Sequence, residues 1–270
     1  MTAVASDDGT DEQPATTAPG PDPVEHLEAA FTTAGADAAV PKHQHRDVQG
    51  GVARAAVFGA SDGLVSNVSL ILGVAGASPG AGVVRLAGLA GWIAGAISMA
   101  AGEYGSMKAQ TELLEHELNL ERIELRRNPH VETRELAELY QRRGLDKELA
   151  QDLAVAMMRD PETALEAHAR EELGIDPEAL GSPIGAAAAS FGTFSVGALL
   201  PLVPWLVGSG TAAVVASVVL GLLGAATVGI LLARSTHGSY VRMVARYVGI
   251  AVVASAVTYL VGSIVGVSTG

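Results

Sequence analysis

Residues 211–233 read TAAVVASVVLGLLGAATVGILLA and carry no charged side chain. A helix of this length crosses a hydrocarbon layer of ~30 Å at ~1.5 Å per residue. Around this stretch, from residue 179 to residue 270, there is no Asp or Glu at all. The basic residues of that range are Arg234, Arg242 and Arg246. A soluble domain needs more surface charge than this, so this part of the chain is predicted to lie in lipid.

Four further apolar stretches allow the same interpretation: residues 52–77, 83–101, 184–207 and 240–267. Of the whole chain, 49% of residues are hydrophobic and 17% are charged, whereas in soluble domains roughly a quarter are charged. The links 78–82 and 208–210 are short enough to make antiparallel hairpins of their flanking helices. The predicted fold is therefore all-α, an integral membrane protein with five transmembrane helices.

The chain divides into four segments. Residues 1–46 are rich in Ala, Thr, Pro, Gly and Asp and are predicted to be a disordered cytosolic tail. Residues 47–101 hold the first two transmembrane helices, and residues 183–270 hold the last three. Between them lies the insert, residues 102–182, predicted to be a small acidic domain of helices in the cytosol.

Helix boundaries in the insert are marked by local signals. A long helix is expected to continue out of the second transmembrane helix over residues 105–127. Three more helices should follow, over about 131–143, 146–158 and 161–173. The residues that mark the breaks are Asn128-Pro129, Gly144, Asp146 and Pro161.

Several classes of protein are excluded by composition. The chain has no cysteine, which excludes disulfides, thiolate metal sites, iron–sulfur clusters and a cysteine nucleophile. A net charge of −12 argues against nucleic-acid binding and suits cations. The acidic N-terminus lacks the features of a signal peptide, so membrane insertion is expected to depend on the chain's own transmembrane helices.

Orientation follows from the basic residues. Lys42, Arg46 and Arg54 flank the start of the first transmembrane helix, and the link between the third and fourth has no basic residue. The positive-inside rule then places the N-terminus and the insert in the cytosol and the C-terminus outside.

Small residues and prolines punctuate the membrane helices. Gly59 and Gly63 are spaced by four, which allows another helix to approach closely, although glycine is also common in membrane helices. If two copies form a dimer, this face of the first helix is expected to lie at their interface. In the third transmembrane helix Gly197, Pro201 and Pro204 are expected to bend or end the helix.

Charged side chains inside apolar stretches are costly and usually functional. Asp62 lies well inside the first stretch and must face a cavity or a partner, or else be a structural acid paired with a base or hydroxyl. Met99 and Glu103 share one helix face at the end of the second stretch. A thioether beside a carboxylate suits a borderline divalent ion such as Fe²⁺, whereas Met99 alone would indicate packing.

Acids recur at helical spacing in the insert. Those that share a helix face are Glu117, Glu121 and Glu124, then Glu132 and Glu135, then Glu172 with His168. Such runs are usually solvated acidic faces. They also offer the oxygen and nitrogen ligands that Fe²⁺, Mn²⁺ or Zn²⁺ accept. The residues alone leave both interpretations open.

Two motifs resemble the vacuolar iron transporter family. They are DGLVSNVSLILGVAGA, which starts at Asp62, and GAISMAAGEY, residues 95–104. The resemblance covers about residues 47–267. It implies a five-helix membrane homodimer that exchanges cytosolic Fe²⁺ for protons.

The resemblance also implies functional positions. They fall on Asp62 and Met99 in the membrane and on Glu121, Glu124, Glu132, Glu135 and Glu172 in the insert. The family's plant form has two methionines where His168 and Ala169 stand here, so His168 is the candidate to replace the thioether ligands. It also has a glutamate where Gly91 stands here, and Glu103 is the candidate to take over that carboxylate role.

The sequence therefore predicts an Fe²⁺ exporter driven by protons in a bacterial cytoplasmic membrane, with Mn²⁺ as a second cargo and Zn²⁺ as a further ion for the insert. The metal is substrate, and neither a prosthetic group nor enzymatic activity is expected. Two alternatives stay open. A membrane-anchored metal sensor or buffer would not need Asp62. A di-iron oxidase is disfavoured because the Glu-x-x-His ligand pair of such sites is absent from the insert.

Overall fold

The computed structural model describes residues 51–77, 80–177 and 181–269, and the N-terminal tail lies outside these residues. The described part of the chain forms eight helices and contains no strand. They are α1 (Gly51–Gly76), α2 (Ala81–Arg127), α3 (Pro129–Arg142), α4 (Lys147–Met157), α5 (Pro161–Glu171), α6 (Pro183–Val207), α7 (Gly210–Thr236) and α8 (Tyr240–Thr269).

Five of the described helices are long and apolar enough to cross a membrane: α1, the first part of α2, α6, α7 and α8. The prediction of a multi-pass, all-helical membrane protein is thereby confirmed. Helix α1 contacts each of the other four and forms the centre of the bundle. Helix α8 is the least buried of the five and packs on α1 and α7.

Glycines set how closely these helices approach one another. The backbone of Ser190 and Phe194 in α6 occupies the space that side chains at Gly59 and Gly63 would need. The Gly59 and Gly63 face therefore packs within one chain, and the expectation that it meets a second copy is wrong. A second glycine contact joins α1 to α8, where Gly262 lies against the backbone of Gly73.

The prolines of the third transmembrane helix were predicted to bend the helix or to end it. Helix α6 does not end there. Pro201 and Pro204 both lie inside the helix, which continues to Val207. Asn67 of α1 donates a hydrogen bond of 2.6 Å to the carbonyl of Ala198, and Ser217 of α7 donates one of 2.7 Å to the carbonyl of Pro201. These two hydrogen bonds join α6 to its neighbours beside the prolines, since polar groups at membrane depth need partners within the protein.

Helix α2 is 47 residues long in total and continues without a break from the bundle to Arg127. The three helices that follow begin and end at the predicted signals. Gly144 has a positive φ of 103°, the conformation expected after the end of α3. The Asp146 side chain accepts hydrogen bonds from the first turn of α4, and Asp160 does the same for α5.

A small apolar core holds α3 and α4 together. Leu136, Ala137 and Tyr140 of α3 pack on Ala150 and Ala154 of α4. Helix α5 joins this hairpin by an ion pair between Arg143 and Glu171. These contacts fix the faces of α3 and α5 that carry the candidate ligands.

Candidate metal centre

Four side chains from three parts of the insert converge on one point. They are Glu121 of α2, Glu132 in the first turn of α3, His168 of α5, and Glu172 directly after α5. Each offers one ligand atom, and these atoms lie within 4.8 Å of one another. The first three residues are buried and Glu172 is exposed.

Local sequence explains why these residues meet. Helix α2 ends at Arg127, where the Asn128 amide donates to the Glu124 carbonyl, and Pro129 begins α3 at once. The break lets α3 turn away while Glu132 stays in its first turn, close to the end of α2. His168 and Glu172 are four residues apart, and Glu172 keeps helical backbone angles directly after α5, so the two side chains lie on the same side.

The centre of the cluster is the Nδ1 atom of His168. It lies 3.1 Å from a carboxylate oxygen of Glu121, 3.3 Å from one of Glu172 and 3.9 Å from one of Glu132. The Nδ1 atom can carry only one proton, so a single N–H donor faces three carboxylates. The His168 side chain is fully buried, and its Nε2 atom has no hydrogen-bond partner among the described residues. A cation at this point would satisfy the group better than the imidazole alone.

The crowding shifts the protonation of the cluster. The pKa of Glu132 is raised from 4.5 to about 7, first by burial and then by the charges of Glu121 and Glu135. The pKa of His168 is also raised. Burial lowers it, but hydrogen bonds with Glu121 and Glu172, together with the charges of Glu121 and Glu132, outweigh that effect. In the absence of metal the cluster therefore holds protons near neutral pH.

These shifts predict how stability depends on pH. Because both pKa values are raised, the folded chain holds more protons than the unfolded chain, and these groups destabilise the fold as pH rises. For Glu132 the loss falls between pH 4.5 and about 7, and His168 adds to it above its ordinary value of 6.5. Scanning calorimetry of the metal-free chain should show that Glu132→Gln raises the melting temperature more at pH 8 than at pH 5. Equal shifts at both pH values would contradict the assignment.

Two predicted insert ligands lie outside the cluster. Glu124 and Glu135 are exposed, and the structure does not bring them together with the other four. They still act on the site, because the charges of both raise the pKa of Glu132. Glu117, on the same face of α2 as Glu121, is half-buried and also lies outside the cluster.

The membrane acid Asp62 is half-buried on α1. Its Oδ1 atom accepts a hydrogen bond of 2.8 Å from the Ser66 hydroxyl, one turn further along the same helix. On the same side of α1, Phe58 is 54% exposed and Leu70 is 38% exposed. The chain's own helices therefore leave this side of α1 largely uncovered.

The structure treats Met99 and Glu103 differently. Met99 is half-buried and packs against Ala96, Phe194 and Ala198. Glu103 is buried, and its carboxylate forms an ion pair of 3.0 Å with Arg54 in the first turn of α1. Sequence reasoning treated Arg54 only as a signal of orientation. Its position inside an apolar stretch, where a charge needs a partner, was the signal that could have revealed the pair.

Five membrane-crossing helices and a carboxylate–imidazole cluster in a helical insert define a multi-pass membrane protein with a candidate divalent-metal site. Comparison with known proteins agrees. The sequence profile of the VIT family matches residues 53–263. The vacuolar iron transporter of Acanthamoeba castellanii is 40% identical over 166 residues, which is 61% of this chain and 60% of that protein.

Two plant proteins are similar over more of their length. Vacuolar iron transporter 1 of Eucalyptus grandis is 34% identical over 67% of this chain and 74% of its own. Vacuolar iron transporter 1 of Arabidopsis thaliana is 31% identical over 80% of this chain and 87% of its own. The chain belongs to the VIT family.

Proposed function

We propose that this protein carries Fe²⁺, with Mn²⁺ as a second cargo, out of the cytosol in exchange for protons. The observation that supports this most is the convergence of Glu121, Glu132, His168 and Glu172 on one point in a member of the VIT family. The names of its relatives support iron as the cargo.

The ligand chemistry favours this class of ion. Three carboxylates and one imidazole offer oxygen and nitrogen donors, a set that suits Fe²⁺, Mn²⁺ and Zn²⁺. Mg²⁺ dehydrates reluctantly and usually keeps several waters, which a buried cluster of this size would have to remove. The insert is thus a collecting site for borderline divalent ions.

The proposed path runs from the insert into the membrane. The cluster gathers metal in the cytosol, Glu103 and Met99 receive it where α2 enters the bundle, and Asp62 binds it at mid-membrane. No prosthetic group takes part. Charges at this depth are stable only when they are paired or hydrated, so Asp62 is expected to alternate between a cation and a proton.

Proton exchange follows from the same residues. Metal binding requires deprotonated carboxylates and neutral imidazole, so each ion bound releases protons. With the pKa of Glu132 at about 7, this exchange falls near neutral pH. The basic residues around the start of α1 support the orientation in which the insert faces the cytosol of a bacterial cell and the C-terminus lies outside.

We further propose that two copies form a homodimer through the uncovered side of α1. A half-buried carboxylate such as Asp62 cannot face acyl chains at low cost, and a second copy would cover it. A two-fold axis there would place two Asp62 and two Met99 side chains around one path, and two-fold dimers are the commonest closed assembly.

Cysteine cross-linking tests this interface, because the chain has no natural cysteine. Phe58→Cys and Leu70→Cys, on the uncovered side of α1, should each give disulfide-linked dimers in membranes. Leu223→Cys, which is 59% exposed on α7, is the control for random collisions and should stay monomeric. Equal cross-linking at all three positions would contradict the proposal.

Transport itself is tested in liposomes. The purified chain, reconstituted in vesicles with an Fe²⁺-sensitive dye inside and an imposed pH gradient, should move Fe²⁺ with protons flowing the opposite way. Fe²⁺ movement that does not depend on the pH gradient would contradict the exchange of Fe²⁺ for protons. If the insert binds metal but no transport occurs, the protein is instead a membrane-anchored sensor or buffer.

A further inference from the structure

The ion pair between Arg54 and Glu103 joins two membrane helices where the insert begins. Arg54 lies in the first turn of α1, and Glu103 lies on α2 one turn beyond Met99. An Arg54 guanidinium nitrogen is 3.0 Å from a Glu103 carboxylate oxygen. The pair therefore occupies the entrance that metal must pass on the proposed path.

The two partners are buried to very different extents. The Arg54 side chain is 65% exposed, whereas the Glu103 side chain is 9% exposed. A guanidinium that is mostly in water can leave at little cost, since it regains full hydration. A carboxylate that stays buried without a partner is strongly unfavourable. Glu103 therefore releases Arg54 readily only when another cation replaces it.

We propose that Arg54 is a positioning residue that controls entry of metal: it neutralises Glu103 at rest and is displaced when a divalent ion arrives. This inference rests on the proposed function. A divalent ion on Glu103 brings more positive charge than Arg54 and repels the guanidinium into solvent. Monovalent cations bring no such advantage, so Arg54 excludes them.

The first test separates affinity from rate in the liposome assay. Arg54→Gln removes the competitor, so the half-saturating Fe²⁺ concentration should fall about fivefold while the maximal rate changes by less than about twofold. Arg54→Lys keeps the charge and should stay close to wild type. Arg54→Met, which keeps a long stem, should repeat the effect of Arg54→Gln if the glutamine variant does not fold.

A matched control is Arg234→Gln in the last turn of α7, which removes one exposed positive charge at another helix end. If it lowers the half-saturating concentration equally, the effect is a general change of surface charge and the proposal is wrong. An unchanged or higher value in both Arg54→Gln and Arg54→Met would also overturn it, since a merely structural ion pair would give that result.

A second test does not require transport. In a full-length chain with Glu121→Gln, Glu132→Gln and His168→Gln, the insert site is removed and Mn²⁺ binding can be followed by electron paramagnetic resonance. Adding Arg54→Gln should tighten the remaining Mn²⁺ binding about fivefold, and adding Glu103→Gln should abolish that gain. No gain, or a gain that survives Glu103→Gln, would refute the role of Arg54. If the wild-type chain moves no Fe²⁺, the proposed function fails while this measurement still decides on Arg54.

Discussion

Asp62→Asn is expected to reduce Fe²⁺ movement to the level of empty liposomes, while the protein still inserts and dimerises. The substitution keeps the size of the side chain and a group that can bond to Ser66, but removes the charge that would bind a cation at membrane depth. Uptake of Fe²⁺ by an internal dye, measured with and without a pH gradient, gives the result directly.

The same chemical change at Asp152, on the exposed surface of α4, is the matched control and should leave transport unchanged. Asp62→Glu should retain part of the rate, since it keeps the charge but moves it. Normal transport by Asp62→Asn would remove Asp62 from the path. It would also favour a metal sensor that only binds.

Glu132→Gln is expected to weaken binding of the first divalent ion by about 100-fold or more, because loss of groups that merely support a metal ligand already costs ~10–100-fold. The variant keeps the shape of a buried residue but removes one of the three carboxylates around His168. Titration calorimetry of the full chain with Mn²⁺ or Zn²⁺ measures the affinity, the stoichiometry and the protons released.

Glu138→Gln, on an exposed part of the same helix, provides the comparison and should bind metal like the wild type. The double variant Glu124→Gln and Glu135→Gln should lower affinity less than Glu132→Gln, because both residues are exposed and lie outside the cluster. Equal metal affinity in wild type and Glu132→Gln would contradict the metal site and show that the acids of the insert form a solvated surface.

Helix boundaries could be predicted from sequence because their signals are local. Asp146 and Asp160 accept hydrogen bonds from amides only two or three residues ahead, and Pro129 lies directly after the end of α2. Apolar length alone was sufficient for the five membrane helices. None of these features depends on how distant parts of the chain pack.

Partners across the fold could not be predicted in this way. From their spacing, Glu121 and Glu124 are equally good candidates for metal ligands. In the structure Glu121 is buried and Glu124 is exposed, because the packing of α3 and α5 decides which side of α2 is covered. For the same reason the glycines of α1 could be seen to favour a close neighbour, but not to identify α6. The partner of Glu103 lies 49 residues away.

Helix α2 is unbroken between the membrane and the insert, so this one helix fixes the distance between them. At 3.6 residues per turn, the interval from Glu103 to Glu121 is about five full turns, or ~27 Å, so both carboxylates point from the same side of the rod. Their spacing and phase are therefore set by helix geometry rather than by the docking of separate parts. Because α2 has no break between the insert and the membrane, a tilt of the insert would be transmitted through α2 to the membrane helices.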